Sequence, residues 1–313
     1  MQALTVLALI EEAADQLEAA GLSLANGFGQ GTLNAFDEAA WLVMWRLGLP
    51  IDDLDAVSDK PVAHAERAQV AMLLEARITS RKPTAYLTHE AWLQGVPFYV
   101  DERVIIPRSL IAELLADESI DPWLGEATHR VLDLCTGNGS LAILAAMTYP
   151  DVVVDAADIS LDALAVALIN VDKHDMGERI TLLASDGLSA CKGKTNGGYD
   201  LILCNPPYVN AATMASLPPE FRAEPALALH GGHDGMDFVR GLFLTAAAHM
   251  SENAVLVLEI GNESSNFKQA FPRLEPLWFE TSAGPDQVLL LSRSANLCEP
   301  LRTLRLCVEC LFV

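Results

Sequence analysis

The sequence predicts an α/β protein, with a mostly parallel sheet covered by helices on both faces and a smaller helical region before it. Two observations predict this fold class. From Arg130 onwards, short apolar runs typical of strands alternate with helical patterns, and such alternation gives parallel sheets. Before residue 88 the apolar residues recur at helical spacing instead, in segments that stop at Gly or Pro.

The first region is predicted to be a helical substrate-docking domain over residues 1–88. Thr5 to Ala20 and Asn34 to Leu47 are periodic apolar segments that end at glycines, and Pro61 to Thr79 has an alanine and leucine face. None of these segments carries a set of side chains typical of catalysis. We therefore expect this region to pack and to bind a partner.

Residues 89–109 are predicted to be a hairpin linker. Between Ala91 and Ile106 the apolar residues recur with a period close to two, which indicates paired strands. The polar run Asp101 to Arg103 is the predicted turn. A helix from Leu110 to Asp117 then opens a catalytic domain that we expect to span residues 110–295.

The catalytic domain is predicted to contain five strands with helices between them. The strands are Arg130 to Leu134, Val152 to Asp158, Ile180 to Ala184, Asp200 to Cys204 and Ala254 to Ile260, and the helices include Ser140 to Thr148 and Ser160 to Asp172. Two later apolar stretches, near Trp278 and at Val288 to Leu291, are expected to close the sheet as an antiparallel pair.

The tail, residues 296–313, departs from this order and is expected to be irregular. Its Cys307 and Cys310 have a C-x-x-C spacing, but no second pair of ligands accompanies them. Zinc sites usually need four ligands, so we predict no metal site.

Charge and composition limit the class of partner and compartment. The 313 residues carry a formal net charge of −22, whereas nucleic-acid binders usually present a basic surface to phosphates. We expect no direct DNA binding; an acidic surface suits a basic protein partner, although acidity also serves solubility alone. No apolar run reaches the roughly 18 residues of a membrane span, and there is no secretory signal or disulfide framework. A cytoplasmic protein without a membrane partner is expected.

The motif Asn205-Pro206-Pro207-Tyr208 directly follows a predicted strand. Each proline lacks a backbone N–H and fixes φ, so the strand ends abruptly and leaves Asn205 at its carboxyl end. Ligands bind at that end of the strands in open α/β sheets. An amide oxygen and free carbonyls beside a flat ring suit a planar –NH2 group. The motif therefore indicates chemistry on an amide or amino nitrogen.

A glycine turn with a later carboxylate indicates a nucleoside site. Gly137 and Gly139 follow the strand that starts at Arg130, and they let the backbone approach a ligand. Asp158 ends the next strand, about twenty residues on, where a carboxylate can accept both hydroxyls of an adenosine ribose. NAD and S-adenosylmethionine both carry such a ribose. Asp158 could instead cap the following helix, but Ser160 is a competing cap.

Three strand ends together favour a methyltransferase. Asp186 closes a third strand and can accept a hydrogen bond from an adenine amino group. Asp158, Asp186 and Asn205 thus follow successive strands, which fits an adenosyl cofactor and then a reacting nitrogen. Nicotinamide enzymes do not need the Asn-Pro-Pro-Tyr motif.

The amide chemistry gives roles to the motif. An amide nitrogen is a poor nucleophile because its lone pair is delocalised into the carbonyl. The Asn205 side-chain oxygen and the Pro206 carbonyl can hold its two N–H groups, orient the nitrogen towards the sulfonium methyl and stabilise the developing positive charge. Tyr208 is expected to stack on the planar amide, with simple packing as the alternative.

Three segments resemble the N(5)-glutamine methyltransferases, in particular the branch specific for large-subunit ribosomal protein three. They are Gly31 to Ala39, Tyr99 to Ser109 with Ile111 to Leu114, and Asp133 to Gly137, whereas Leu110 stands where the family usually has proline. The branch that modifies release factors typically has Pro-Arg-Pro-Glu-Thr-Glu where this chain has Pro-Arg-Ser-Leu. Glu224 to Leu227 and Gly231 to Asp237 also resemble the family loop after the catalytic motif.

The resemblance implies a class I S-adenosylmethionine-dependent methyltransferase, with a Rossmann-like, seven-stranded, mostly parallel sheet and a small helical N-terminal domain. It implies methyl transfer to the side-chain amide nitrogen of a glutamine in a large-subunit ribosomal protein, giving N(5)-methylglutamine and S-adenosylhomocysteine. The expected cofactor-binding residues are Asp133, Cys135, Thr136, Gly137, Asn138, Gly139, Asp158, Ile159, Asp186, Gly187 and Asn205. Substrate contacts are expected at Asn205, Pro206, Pro207 and Tyr208, of which Asn205, Pro206 and Tyr208 are the catalytic candidates.

Other functions share parts of this pattern. A release-factor glutamine methyltransferase would have the same chemistry and another docking surface. An adenine-N6 nucleic-acid methyltransferase shares the Asn-Pro-Pro-Tyr motif, but it would need a base-flipping pocket and basic contacts. A non-catalytic ribosome assembly factor would use the helical domain alone, and the intact Asn205 and Asp158 argue against it.

Overall fold

The computed structural model describes residues 4–191 and 197–297, and the chain divides into two compact units. Of the described residues, the first unit contains 4–91, 100–102 and 217–224. The second contains 92–99, 103–191, 197–216 and 225–297. Cys298, Cys307 and Cys310 of the predicted tail lie outside the described residues.

The first unit is helical, as predicted. Its helices are α1 (Val6–Ala19), α2 (Ala35–Leu47), α3 (Leu54–Val57), α4 (His64–Ser80) and α5 (Thr84–Thr88). Thr5 caps α1 by accepting the Ala8 N–H, and Asn34 caps α2 by accepting the Asp37 N–H at 2.9 Å. Apolar side chains of α1, α2 and α4 form one buried cluster.

The hairpin lies earlier than predicted. Strands β1 (Glu90–Leu93) and β2 (Val96–Tyr99) pair across the turn at Gln94 and Gly95, so the predicted turn at Asp101 to Arg103 is wrong. Gln94 and Gly95 have φ of 50° and 74°, the positive values that a two-residue type I′ turn needs. Asp101 to Arg103 follows the hairpin as a separate turn.

The second unit contains a seven-stranded sheet. Its strands are β3 (Arg130–Leu134), β4 (Val153–Asp158), β5 (Ile180–Ala184), β6 (Tyr199–Cys204), β7 (Met250–Glu259), β8 (Leu277–Thr281) and β9 (Gly284–Ser292). The order across the sheet is β5-β4-β3-β6-β7-β9-β8. Strands β3 to β7 are parallel, and β9 runs antiparallel to both β7 and β8, which confirms the predicted mostly parallel sheet with an antiparallel closing pair.

Helices cover both faces of this sheet. They are α6 (Ile111–Ala116), α7 (Ser140–Thr148), α8 (Leu161–Lys173), α10 (Asp237–His249) and α11 (Ser264–Ala270), while the short α9 (Ala211–Ser216) has no buried residue. Val131 of β3 belongs to the apolar cluster that contains α6 and α7, whereas the next residue, Leu132, belongs to the cluster that contains α10 and α11. Successive strand residues point to opposite faces, so each cluster fills one side of the sheet.

The strand order reverses between β3 and β6. The chain builds outward from β3 through β4 to β5, then returns to place β6 on the other side of β3. Leu134 pairs with Cys204 at the carboxyl ends of these two strands. A crevice at such a reversal is where open α/β sheets bind ligands. Within the described ranges, the structure contains no helix long and apolar enough to span a bilayer.

Candidate active site

A cavity of about 200 Å³ opens at the carboxyl ends of the parallel strands, and all of its lining residues belong to the second unit. Its wall includes the glycine turn after β3, the ends of β4 and β5, and Asn205 after β6. Predicted site residues from four strands therefore line one space. They are Cys135, Thr136, Gly137, Asn138, Asp158, Ile159, Asp186, Gly187, Asn205 and Pro207.

Asp133 supports the glycine turn from beneath. It is fully buried, and its Oδ2 accepts hydrogen bonds from the Thr136 hydroxyl at 2.5 Å and from the Ala142 N–H at 3.0 Å. Burial raises the pKa of Asp133 to about 7. Since Asp133 is not in the cavity wall, its geometry supports a structural role in the turn rather than the predicted direct contact.

Asp158 connects β4 to the glycine turn. Its Oδ2 accepts the Gly137 N–H and its Oδ1 accepts the Ser160 N–H, both at 2.9 Å. Ser160, not Asp158, provides the side-chain cap of α8, through the Ala163 N–H at 3.1 Å. Burial raises the pKa of the Asp158 carboxyl. The Ile159 N–H also stabilises this carboxylate, and because a carboxylate has about four acceptor sites, acceptor capacity remains for a ligand.

Cys135 and Gly139 shape the turn without offering polar groups. Cys135 has φ of 64°, and its hydrogen bond with Cys204, together with burial, raises the pKa of its thiol well above the usual range. Gly139 has φ of 83°, and a Cβ there would lie 3.2 Å from the Ala167 Cβ. Gly139 therefore permits the close packing of α7 on α8 and does not line the cavity.

Asn138 contributes an unpaired donor to the cavity wall. The side chain is 4% exposed, and its Oδ1 accepts the Ser140 N–H at 3.2 Å. Its Nδ2 is buried and has no hydrogen-bond partner within residues 4–191 and 197–297. An unmade buried hydrogen bond is costly, so this nitrogen suits an acceptor on a bound molecule.

Only two residues of the Asn205–Tyr208 motif line the cavity, and Tyr208 itself is half-buried. Asn205 and Pro207 line the cavity, whereas Pro206 and Tyr208 do not. The Tyr208 hydroxyl donates to Glu259 Oε1 at 3.2 Å, and a Cβ at Gly261 would lie 2.5 Å from the Tyr208 ring. The predicted stacking of Tyr208 on a substrate amide stays a prediction.

Several wall and support residues were not predicted from the sequence. They are Arg103, Arg108, Ser109, Leu227 and Phe238 in the wall, and Glu259 behind it. The segment containing Arg108 and Ser109 was noted for its resemblance, so its position in the chain was a usable signal. Glu259 ends an apolar strand as Asp158 does, and that shared position was the signal available for it.

An adenosyl cofactor fits these groups. The Asp158 and Asp186 carboxylates in the wall could accept hydrogen bonds from ribose hydroxyls and an amino group, and Asn138 offers a donor without a partner among the described residues. Gly137 has φ of 56°, and a Cβ at this position would meet no atom within 4 Å, which leaves room for a ligand against the backbone. No cluster of three His, Cys, Asp or Glu side chains in residues 4–191 and 197–297 could hold a metal ion.

Comparison with known proteins identifies the family. Residues 110–257 match the family described as Methyltransferase small domain. A ribosomal protein uL3 glutamine methyltransferase of Bordetella pertussis is 50% identical over 291 residues, which cover 92% of this chain and 95% of that protein. Proteins of the same name from Burkholderia pseudomallei and from Neisseria meningitidis serogroup B are 47% and 45% identical, over 93% and 94% of this chain and 95% of each relative.

These relatives confirm the resemblance to the glutamine methyltransferases and the methyltransferase fold. They carry the name of the ribosomal branch, which the Pro-Arg-Ser-Leu segment favoured over the release-factor branch. The identity extends over both units, because the matched share of the chain exceeds nine tenths. The chain belongs to the family of ribosomal protein uL3 glutamine methyltransferases.

Proposed function

We propose that this protein transfers a methyl group from S-adenosylmethionine to the side-chain amide nitrogen of a glutamine in the large-subunit ribosomal protein uL3, giving N(5)-methylglutamine. The observation that carries the proposal is the position of Asn205, in the same cavity wall as Asp158 and the glycine turn. An amide-binding side chain thus faces the space in which an adenosyl group would lie.

The cofactor would be held by the ends of three strands. Asp158 would accept the ribose hydroxyls, Asp186 the adenine amino group, and Asn138 would donate to an acceptor such as a carboxylate. When bound, S-adenosylmethionine supplies a methyl group on a sulfonium centre, and its transfer to the amide nitrogen with loss of one N–H proton leaves S-adenosylhomocysteine. The exposed side chain of Ile159 gives an apolar surface for the adenine ring.

Asn205 and Pro206 would bind the acceptor amide. The Asn205 side-chain oxygen and the Pro206 carbonyl would each accept one N–H, which orients the nitrogen and stabilises positive charge that develops on it. Fixed acceptors of this kind need no reorganisation during the reaction. The two prolines restrict the backbone, so these acceptors are held before the substrate arrives.

The partner is proposed to be a basic ribosomal protein, and the first unit its docking domain. A formal net charge of −22 attracts a basic protein and repels nucleic acid phosphates. Electrostatic attraction speeds encounter and is weakened by salt, so the rate at low substrate concentration should fall as salt rises.

A methylation assay with separate substrates tests the proposal. Purified uL3, a release factor and DNA would each be incubated with enzyme and S-adenosylmethionine labelled in the methyl group. We expect label in uL3 alone, on a glutamine identified by mass spectrometry. Equal labelling of the release factor would refute the substrate assignment and keep the chemistry, whereas labelled DNA would refute both.

A matched pair of variants tests the role of Asn205. Asn205→Ala should lower the rate of methylation by about 10²–10³ because it removes one preorganised contact, with little change in cofactor affinity. Asn253→Ala removes an exposed asparagine at the opposite end of β7 and should leave the rate unchanged. A near-normal rate for Asn205→Ala would remove the proposed role.

A further inference from the structure

Glu259 is a buried carboxylate beside the proposed catalytic motif that the proposed function does not use. It is 3% exposed and is the last residue of β7. The preceding residue, Leu258, pairs with Cys204 at the end of β6. The register therefore places Glu259 beside Asn205, on the neighbouring strand.

The Glu259 carboxylate joins two segments of the site. Its Oε1 accepts the hydrogen bond from the Tyr208 hydroxyl at 3.2 Å. Its Oε2 accepts from the Ser109 hydroxyl at 2.6 Å and from the Leu110 N–H at 2.9 Å. Ser109 lines the cavity, so a single side chain connects the cavity wall to the end of the Asn205–Tyr208 motif.

Glycines enclose Tyr208 from the other sides. A Cβ at Gly261 would lie 2.5 Å from the ring, a Cβ at Gly235 would lie 2.3 Å from the Tyr208 carbonyl oxygen, and one at Gly231 would lie 2.7 Å from the Tyr208 Cα. All three contacts are closer than real Cβ atoms come. Backbone and ring are thus confined, and the hydroxyl is fixed by Glu259.

The Tyr208 ring, held in this way, differs from a ring that is free to stack on a substrate amide. Tyr208 is absent from the cavity wall, whereas Asn205 and Pro207 of the same motif are in it. The ring is therefore placed to brace the motif from behind. A brace of this kind would set the direction in which the Asn205 side chain faces the cavity.

We propose that Glu259 is a positioning residue for the methyl-acceptor site. By holding the Tyr208 hydroxyl and the Ser109 hydroxyl on one carboxylate, it fixes the turn that carries Asn205 against the cavity wall. This inference rests on the proposed function, since it assigns Asn205 the role of acceptor-binding group. It predicts that Tyr208 acts through its hydroxyl.

Steady-state kinetics with uL3 and S-adenosylmethionine test this role. Tyr208→Phe removes only the hydroxyl, and Glu259→Gln removes the charge at similar volume. Each should lower kcat by about 10- to 100-fold, the loss typical of a hydrogen bond to a charged group, while the Kd for the cofactor changes by less than about threefold. Since both variants weaken the same Tyr208–Glu259 hydrogen bond, the double variant should be no slower than the slower single variant.

A second tyrosine provides the matched control. The Tyr149 hydroxyl donates to Asp121 at 2.9 Å, also in the second unit but outside the cavity wall. Tyr149→Phe removes the same kind of hydrogen bond and should leave kcat unchanged. A wild-type kcat for Tyr208→Phe, or independent losses that multiply in the double variant, would overturn the proposal.

Hydrogen–deuterium exchange separates this inference from the proposed function. Peptides spanning residues 204–211 should exchange faster in Tyr208→Phe and in Glu259→Gln than in the wild type, and Tyr149→Phe should not change them. If the wild type binds cofactor but does not methylate uL3, the proposed function fails, and the exchange result alone decides the positioning role. Unchanged exchange in both variants overturns the positioning role. If Glu259→Gln is too unstable for kinetics, exchange in Tyr208→Phe still decides, because that variant leaves the carboxylate in place.

Discussion

In the first unit, Glu38 and Glu220 are buried against the guanidinium group of Arg77, whereas in the second unit Asp133 and Glu259 are buried against N–H and O–H donors. In the part of the chain that the structure describes, neither Asp133 nor Glu259 forms an ion pair with lysine or arginine. Glu38 and Glu220 of the first unit are thus neutralised by a cation, whereas Asp133 and Glu259 of the second unit are not.

The pKa shifts follow this difference. Burial alone would raise the pKa of Glu220, but its hydrogen bond from Arg81 and the charges of Arg77 and Arg81 bring it below the ordinary range. Burial raises the pKa of Asp133 and of Glu259, where no such charge opposes it. The carboxylates paired with arginine hold helices and a loop of the first unit together. The carboxylates paired with N–H and O–H donors hold the loops around the cavity.

The largest effect is expected where a buried cation is removed. Arg77→Met should destabilise the first unit by about 3–5 kcal/mol, because it leaves Glu38 without a counter-charge and Glu220 with Arg81 alone. The free energy of unfolding from urea denaturation measures this effect. A loss below about 1 kcal/mol would show that solvent or rearrangement compensates both carboxylates, and the contrast between the units would fail.

A cavity carboxylate should affect binding instead. Asp158→Ala removes acceptors of the proposed ribose site and the partner of the Gly137 N–H, so the affinity for S-adenosylmethionine should fall by about 1.5–3 kcal/mol, or about 10- to 100-fold. Isothermal titration calorimetry measures this change. Asp162→Ala, at an exposed position in the first turn of α8, is the control and should bind normally. Normal binding by Asp158→Ala would contradict the proposed site.

The pH dependence of stability sharpens the comparison. In the folded state Asp133 has a pKa of about 7, above its ordinary value of 3.8. Between these two pH values the folded state therefore holds a proton that the unfolded state has lost. Its contribution to the free energy of unfolding therefore falls as pH rises through this window, by about 1.4 kcal/mol per pH unit. Asp133→Asn lacks this pH-dependent contribution to the free energy of unfolding.

Urea denaturation at several pH values checks the sign. The stability of Asp133→Asn relative to the wild type should rise between about pH 5 and pH 7 and then level off, as expected when the folded-state group finally ionises. A difference that stays constant with pH would show that Asp133 is ionised throughout, and the second unit would then tolerate a buried charge without a cation.

The smallest effect is expected at an exposed ion pair of the first unit. Lys82 Nζ lies 2.5 Å from Glu102 Oε1, and the two side chains are 47% and 43% exposed. Lys82→Met should change the free energy of unfolding by less than about 1 kcal/mol, and added salt should reduce even that. A loss comparable with that of Arg77→Met would show that burial is not what separates the two pairs.

The sequence predicted the sheet of the second unit because local patterns determine it. Arg130–Leu134 and Ile180–Ala184 agree with the predicted bounds, since apolar runs bounded by polar turns mark buried parallel strands. The glycine turn and Asn205 were recognisable for the same reason: each directly follows such a run. The hairpin turn was misplaced because Gln94–Gly95 is a weaker composition signal than the charged run Asp101 to Arg103.

Contacts between residues far apart in the sequence could not be predicted from local sequence patterns. Arg77 and Glu220 are 143 positions apart, and nothing near either residue indicates the other. Glu259 likewise meets Ser109 across 150 positions. The support of a site thus depends on which strand ends become neighbours, and the strand order is set by packing of the whole unit.

The contribution of residues 217–224 to the first unit has a consequence for synthesis of the protein. Arg77 leaves the ribosome long before Glu220, so the first unit cannot complete its ion-pair network until most of the second unit has been translated. The N-terminal helices are therefore synthesised with Arg77 and Glu38 but without Glu220, which is translated much later. A gene fragment that stops after residue 91 would encode a unit permanently held at that stage.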